Sequence, residues 1–358
     1  MKSVFLVKTP LQLLNAIEAK HHFNISASDS VLIAMGDRKS RLQLIKLMHA
    51  TDEWGVAIDI NDISLFSSDP FVKKNSFLSF LLSKINFLKT SFFYVRRLNR
   101  VSKYLKSSDY VFVGYTGYIY MTHFINIMPH NKLVFLDDGN GTYRHADKRR
   151  LGGVKLSGVG PGKKLKIFGK RVFQGVKVKE PGAACFFSAY NVFPGDKDQV
   201  VKNNFSYIRG RIESLPVLEE VYFIGSPLSE VGFISLDNYL SSLKRIKKYF
   251  EYKKIVYIAH RRESPDKLKI LECELGLKVV LFDYPIEYQL AYIGPRPNIL
   301  ASFFSAALDS CSLIFEDKMK IISFRLENVE TRYQSTVDKY YKSSQCDFNK
   351  SFIIEDNY

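Results

Sequence analysis

The sequence has no C-x-x-C pair: its four cysteines, Cys185, Cys273, Cys311 and Cys346, stand far apart. That spacing excludes a zinc knuckle and supplies no disulfide framework, so a reducing, cytosolic setting is expected. No uninterrupted apolar run approaches the roughly 18 residues of a membrane-spanning helix. In the best candidate, FLSFLLSKINFLKTSFFYV, Lys84 and Lys89 break the run. The amino-terminal MKSVFLVKTPLQLL is broken at Lys8, Thr9 and Pro10, too soon for a secretion signal, and reads as a first buried strand. Negative charge is scarce too, with 36 acidic against 52 basic residues and a net charge of +16. Such an excess draws a protein toward nucleic acid, an anionic membrane or an anionic substrate.

What is present is a globular composition, 46% apolar and 25% charged, over 358 residues. That length suits two domains, divided here as 1–185 and 186–358. Short runs rich in Val, Ile and Phe alternate with longer amphipathic segments, the pattern of parallel α/β sheets. Strands are expected at SVFLV, VLIAM, GVAIDI, YVFVG and KLVFL, then at EVYFIG, KIVYIAH, LKVVLF, NIL and SLIFE. Helices are expected at 10–23, 39–50, 76–106, 117–127, 229–250, 265–275, 302–310 and 327–343. Two such Rossmann-like domains facing a central cleft make an α/β architecture.

Residues 144–182 hold twelve Lys or Arg against Asp147 and Glu180, among many glycines. Their GVGPGKK is not a phosphate-binding P-loop, because Lys164 follows Lys163 where Ser or Thr is required, and no G-x-G-x-x-G fingerprint occurs there. The segment 76–106 sets Phe77, Phe80, Phe87, Phe92, Phe93 and Tyr94 among lysines and arginines. Most such stripes are core packing, and the rest lie on membrane surfaces.

Ligands of open parallel sheets bind beyond the carboxyl ends of strands. In FLDDGNGTY that position holds two adjacent carboxylates, Asp137 and Asp138, on a glycine turn. A turn or helix cap explains most Asp-Gly pairs. The functional alternative keeps one carboxylate ionised as a general base and aims it with the other. Thr9 and Gln12 follow the first strand, and Gly225 and Ser226 follow EVYFI. His260 closes KIVYIA and precedes Arg261 and Arg262, so it is either a structural histidine or a donor to a phosphate. Glu287, after Pro285, either complements a helix dipole or accepts hydrogen bonds from ribose hydroxyls. Ser302 and Ser305 in SFFSAAL suit a helix N-cap, with Ser302 as the expected cap, and the same geometry suits a phosphate.

With DDG, a histidine after a central strand, PIE and S-F-F-S in this order, the chain resembles bacterial sialyltransferases. The resemblance is to the lipooligosaccharide sialyltransferase family (glycosyltransferase family 52) and its polysialyltransferase relatives, from TPLQLLNA through SFFSAAL. It implies Asp138 as the acceptor's general base with Asp137 in support, and His260 as acid on the phosphate of CMP. Arg261 stands where the family has proline. The resemblance further implies Glu287 on the ribose, and Ser302 and Ser305 on the phosphate. Gly225, Ser226, Arg261, Thr9 and Gln12 complete the expected nucleotide contacts.

The implied reaction inverts the anomeric carbon of CMP-sialic acid or a related nonulosonate during transfer to a glycan or glycolipid hydroxyl. The resemblance implies a GT-B-like architecture and neither metal nor cofactor. The expected location is the cytoplasmic face of an anionic inner membrane, with a homodimer left open. A GT-B transferase using a UDP-hexose or CMP-Kdo is the alternative. A nucleic-acid-binding protein is the more distant one, since no RNP, zinc-finger or helix-turn-helix signature appears.

Overall fold

The structure, a computed structural model, describes residues 2–36, 41–60, 92–114, 117–139, 141–152, 168–169, 175–347, 352–356 and 358. Of the expected helix 76–106, residues 92–106 fall within them, and 92–105 form helix α3, which lies between α2 (Arg41–Thr51) and α4 (Ile119–Ile127). Most of the basic segment 144–182 lies outside them. The chain forms two compact units, Met1–Asn203 and Asn204–Tyr358.

The first unit carries seven strands: β1 (Ser3–Val7), β2 (Ser30–Ala34), β3 (Val56–Asp59), β4 (Ser108–Val113), β5 (His130–Leu136), β6 (Cys185–Ser188) and β7 (Gln199–Lys202). They pair in the order β3-β2-β1-β4-β5-β6-β7, and every pairing is parallel. All five residues of β1 and of β2 are buried, which is why those strands read as unbroken apolar runs and not as alternation. The sequence boundary at 185 falls on the first residue of β6, and β6 and β7 extend the first sheet. Neither strand is among the expected ones.

The second unit repeats the plan with β8 (Val217–Ile224), β9 (Lys254–Ile258), β10 (Lys278–Val280), β11 (Arg296–Ser302), β12 (Lys320–Phe324) and β13 (Phe352–Glu355). Their order is β10-β9-β8-β11-β12-β13, again with every pairing parallel. Val221, Phe223, Tyr239, Leu243, Leu271, Phe303 and Phe324 are among the residues of its core.

SLIFE, expected as a strand, is instead the end of the helix Ala306–Phe315 and the turn after it. Leu308, Cys311, Ile314 and Phe315 recur at helical spacing and are all buried. A short apolar run taken alone does not distinguish the two periods. The strands that follow, β12 and β13, were not expected.

In both sheets the order runs outward in one direction from the first strand and then reverses. The reversal falls between β1 and β4 in one unit and between β8 and β11 in the other. Such a switch point opens a crevice beyond the carboxyl ends of its strands. Of the expected site residues, Thr9 follows β1, Asp137 and Asp138 follow β5, Gly225 and Ser226 follow β8, His260 and Arg261 follow β9, and Ser302 ends β11.

Candidate functional site

Local sequence sets up the first cluster. Thr9 caps helix α1 (Pro10–His22) by accepting a hydrogen bond from the Gln12 amide at 3.3 Å, and Pro10 takes the first helical turn, where no donor is lost. This start fixes Gln12 beside the carboxyl end of β1. Its Oε1 accepts from the Lys8 amide at 2.7 Å, and its Nε2 donates to Asp138 Oδ1 at 2.6 Å. Gly114, just past β4, makes room for that side chain: a Cβ there would lie 2.3 Å from the Gln12 carboxamide. Gln12 thus joins the first strand's end to the carboxylate.

Asp137 and Asp138 leave β5 in opposite directions, as successive residues of an extended chain do. Asp137 is 2% exposed. Its Oδ1 accepts from the Ser188 hydroxyl at 2.6 Å and its Oδ2 from the Ala189 amide at 2.7 Å, so it fastens the end of β5 to the end of β6. Burial pushes its pKa up to about 6, against those hydrogen bonds.

Asp138 is half-buried, and its amide donates to Thr142 Oγ1 at 2.9 Å. Burial raises its pKa as well, while the Gln12 hydrogen bond, Lys8 and Arg144 oppose the rise. Its Oδ2 accepts no hydrogen bond from the described residues. The turn Gly139–Gly141 then opens helix α5 (Gly141–Arg150), with Gly139 at φ +56°, a conformation suited to glycine. The question raised by two adjacent negative charges has a geometric answer. One carboxylate is consumed by the sheet, and the other presents an oxygen that no described residue donates to.

The second cluster lies at the ends of β8 and β9. Gly225 extends their ladder by donating its amide to the Ile258 carbonyl at 2.8 Å. The chain then turns through Ser226, and after β9 through His260, into helix α8 (Pro265–Cys273), which Ser264 caps. The His260 amide donates to Glu263 Oε2 at 2.6 Å. His260 Nδ1 accepts from the Arg262 amide at 3.1 Å, which leaves Nε2 as the protonated nitrogen of the neutral ring. Burial, then Arg262, lowers the His260 pKa, with Arg261 acting in the same sense and Glu263 against it. At neutral pH this imidazole is an uncharged N–H donor beside two cationic residues.

Beneath that loop lies a polar network the sequence reading missed. Glu263 is buried, accepting from Tyr257 Oη at 2.6 Å and from Lys267 Nζ at 2.8 Å. Tyr257 and Tyr239 hydroxyls meet at 2.7 Å, and Lys267 Nζ lies 3.7 Å from the Tyr239 ring centroid and donates to the Ser226 carbonyl at 3.0 Å. The signal available was Glu263 four residues before Lys267, a helical ion-pair spacing, but nothing local showed that both are buried.

The remaining expected residues divide. Ser302 is not the helix cap: it ends β11, fully buried, and its hydroxyl donates to the Ile224 carbonyl at 2.8 Å. The strand runs to Ser302 because it pairs with Ser323 of β12. Ser305 is the cap of helix α9 (Ala306–Phe315), taken as the ninth after α6 (Ser206–Ile212) and α7 (Leu236–Tyr249), and it accepts from the Ala307 amide at 3.3 Å. Glu287, 8% exposed, accepts from the Ser310 hydroxyl of that helix at 2.6 Å, and burial raises its pKa. In the first unit hydrogen bonds join Thr9 to Gln12 and Gln12 to Asp138, whereas in the second Gly225 and His260 lie at the ends of the paired strands β8 and β9, Ser302 binds the end of β8, and Glu287 and Ser305 are held separately through helix α9.

The chain's one D-x-D spacing, Asp196-Lys197-Asp198, is not a metal pair. Both Asp198 oxygens are bound by Arg149, at 2.6 and 2.7 Å, in a buried fork that ties the end of α5 to the strand β7 approach.

No protein-family model matches the sequence, and no curated protein matches it. Among solved structures, the UDP-GlcNAc 2-epimerase of Methanocaldococcus jannaschii is 11% identical, covers 100% of this chain and 89% of its own, and has a TM-score of 0.50. An alpha/beta-galactoside alpha-2,3-sialyltransferase of Photobacterium phosphoreum is 12% identical over 98% of both chains, with a TM-score of 0.47. MurG of Acinetobacter baumannii is 12% identical over 99% of this chain and 86% of its own, with a TM-score of 0.41. At 11% identity the likeness to the epimerase is one of fold alone, and the other two are weaker still. The chain belongs to the two-unit, parallel-sheet α/β architecture of GT-B-like proteins.

Proposed function

We propose that the protein is a metal-independent inverting glycosyltransferase that moves a nonulosonic acid of the sialic acid type from its CMP-activated donor to a hydroxyl of a glycan or glycolipid. The observation that carries this reading is Asp138: one oxygen held by Gln12, the other without a donor among the described residues, its basicity raised by burial. A general base needs such a poise, because a carboxylate of ordinary pKa abstracts a hydroxyl proton poorly.

In this mechanism Asp138 Oδ2 accepts the proton as the acceptor oxygen attacks the anomeric carbon, and the bond to the CMP phosphate breaks with inversion. Asp137 keeps the turn in place. Nε2–H of His260 donates to the departing phosphate, whose growing negative charge raises the imidazole's proton affinity. Ser305 and the amide end of helix α9 add donors for the same phosphate, and Glu287 takes the ribose hydroxyls. Ser302 acts only by fixing the strand that presents Ser305. Peripheral contact with an anionic membrane would suit an acceptor carried by lipid.

The test is slow donor hydrolysis across a panel of activated sugars without acceptor. Release of CMP from CMP-sialic acid or a related CMP-nonulosonate is expected, with no turnover of UDP-hexoses. Hydrolysis of a UDP-hexose or of CMP-Kdo alone would replace the donor assignment while keeping the transferase class, and thermal stabilisation by an oligonucleotide but by no nucleotide sugar would remove the class.

A further inference from the structure

A second surface of the 204–358 unit is built for a different contact. The stretch KKYFEYKK, residues 247–254, links the end of helix α7 to the start of β9. With Lys244 and Lys278 it lines an open depression of about 550 Å³. Six lysines border it, Lys244, Lys247, Lys248, Lys253, Lys254 and Lys278, against the single acid Glu251, and all seven are exposed.

Three of these lysines are already engaged. Lys247 donates to the Leu275 carbonyl at 2.7 Å, Lys253 faces Glu219 at 3.7 Å, and Lys254 meets Glu220 at 2.5 Å. The side chains of Lys244, Lys248 and Lys278 make no hydrogen bond or ion pair among the described residues. Packing six ammonium groups around one hollow costs stability through mutual repulsion, so their fit is to a dense negative partner. Between the lining residues Glu251 and Lys253 in the chain, Tyr252 is 96% exposed, an aromatic body with a polar tip.

Lys254 and Lys278 begin β9 and β10, so the depression sits at the amino ends of the strands whose carboxyl end carries His260. Anything held there leaves the His260 loop open. Lysines in a compact patch, with a tyrosine set to enter the headgroup layer, match an anionic lipid surface. A single-stranded nucleic acid would need a basic track with successive aromatic stacking faces, whereas Tyr249, the other exposed ring of this stretch, is packed edge-on against Phe250 and Phe324.

We propose that this face docks the protein on an anionic lipid bilayer, phosphate headgroups occupying the lysine-lined hollow and Tyr252 entering the interface. The docking does not depend on which sugar is transferred. The experiment is co-sedimentation of the full chain with vesicles of phosphatidylcholine plus phosphatidylglycerol, against vesicles of phosphatidylcholine alone, and a fluorescent oligonucleotide at the same ionic strength. The variant is the triple change Lys244→Gln, Lys248→Gln, Lys278→Gln, which removes only side chains without partners and is checked for an unchanged melting temperature.

Binding to the anionic vesicles alone is expected, falling ~100-fold in the triple variant, since each lysine near such a surface contributes a factor of roughly five. Equal partitioning of variant and parent would move the contact elsewhere on the chain and overturn the proposal. So would equal binding to neutral vesicles, or tighter binding to the oligonucleotide than to the vesicles. Donor hydrolysis measured on the same variant is expected to be unchanged in solution, which separates failure of docking from failure of the transferase reading.

Discussion

Asp137 and Asp138 are chain neighbours with unlike environments, and their substitutions are expected to separate. Asp138→Asn keeps an acceptor for the Gln12 carboxamide, so fold and nucleotide affinity should stand while turnover falls at least ~100-fold, the scale of a lost general base. Steady-state hydrolysis and a CMP titration measure both, and ordinary turnover in the variant would take the role from Asp138. Asp137 instead writes itself into the pH dependence of stability. Below its ordinary value of 3.8 both folded and unfolded chains hold its proton. Between 3.8 and about 6 the folded chain holds a proton that the unfolded chain has released, so this contribution to stability falls as pH rises. Above that window the penalty is complete, about 3 kcal/mol for a shift of roughly two units. Asp137→Asn lacks the titration, so denaturant midpoints of parent and variant should converge or cross across the window, and parallel curves would refute the buried, proton-retaining state.

At the scale of elements, each cluster depends on a strand end where only glycine fits. A Cβ on Gly225 would lie 2.5 Å from Glu263 Oε2 and 2.6 Å from Tyr257 Oη, two groups locked by the network under the His260 loop. Gly225→Ala should therefore cost about 1–3 kcal/mol, as overpacking does, and weaken CMP binding because the loop carrying His260 must move. An unchanged unfolding midpoint together with unchanged affinity would show the loop to be independent of the network. Much of this scaffold was legible beforehand. The T-P pair announced the start of α1, the unbroken apolar runs announced β1, β2 and β9, and the polar residues after them marked the crevices. What stayed hidden depends on distant partners. Ser188 and Ala189 reach Asp137 across more than fifty positions, and no local spacing announces them. Glu263 and Lys267 read as a surface pair until Tyr239 and Tyr257 cover them. SLIFE failed for the opposite reason: its three consecutive apolar residues fit a strand, and only the longer 3.6-residue rhythm from Leu308 onward shows a helix.

For the whole molecule, the division into two sheets with separate interiors assigns separate tasks. Each unit has its own switch point, so a nucleotide need be held by only one of them, and on the proposed reading the N–H donors and cations near His260 assign it to residues 204–358. A ligand that binds only the folded state stabilises it by about 2.7 kcal/mol at a hundredfold excess over its Kd. In hydrogen exchange that stabilisation should be uneven. CMP is expected to slow exchange at 225–228, 260–264 and 286–293 and to leave the amides of 8–12 and 137–142 unaltered, because the acceptor, not the nucleotide, belongs beside Asp138. Protection confined to 8–12 and 137–142 would put the nucleotide in the first unit, where Asp138 would face a phosphate of its own sign. A carboxylate there would repel the donor it was meant to help, and the roles of the two units would have to be exchanged.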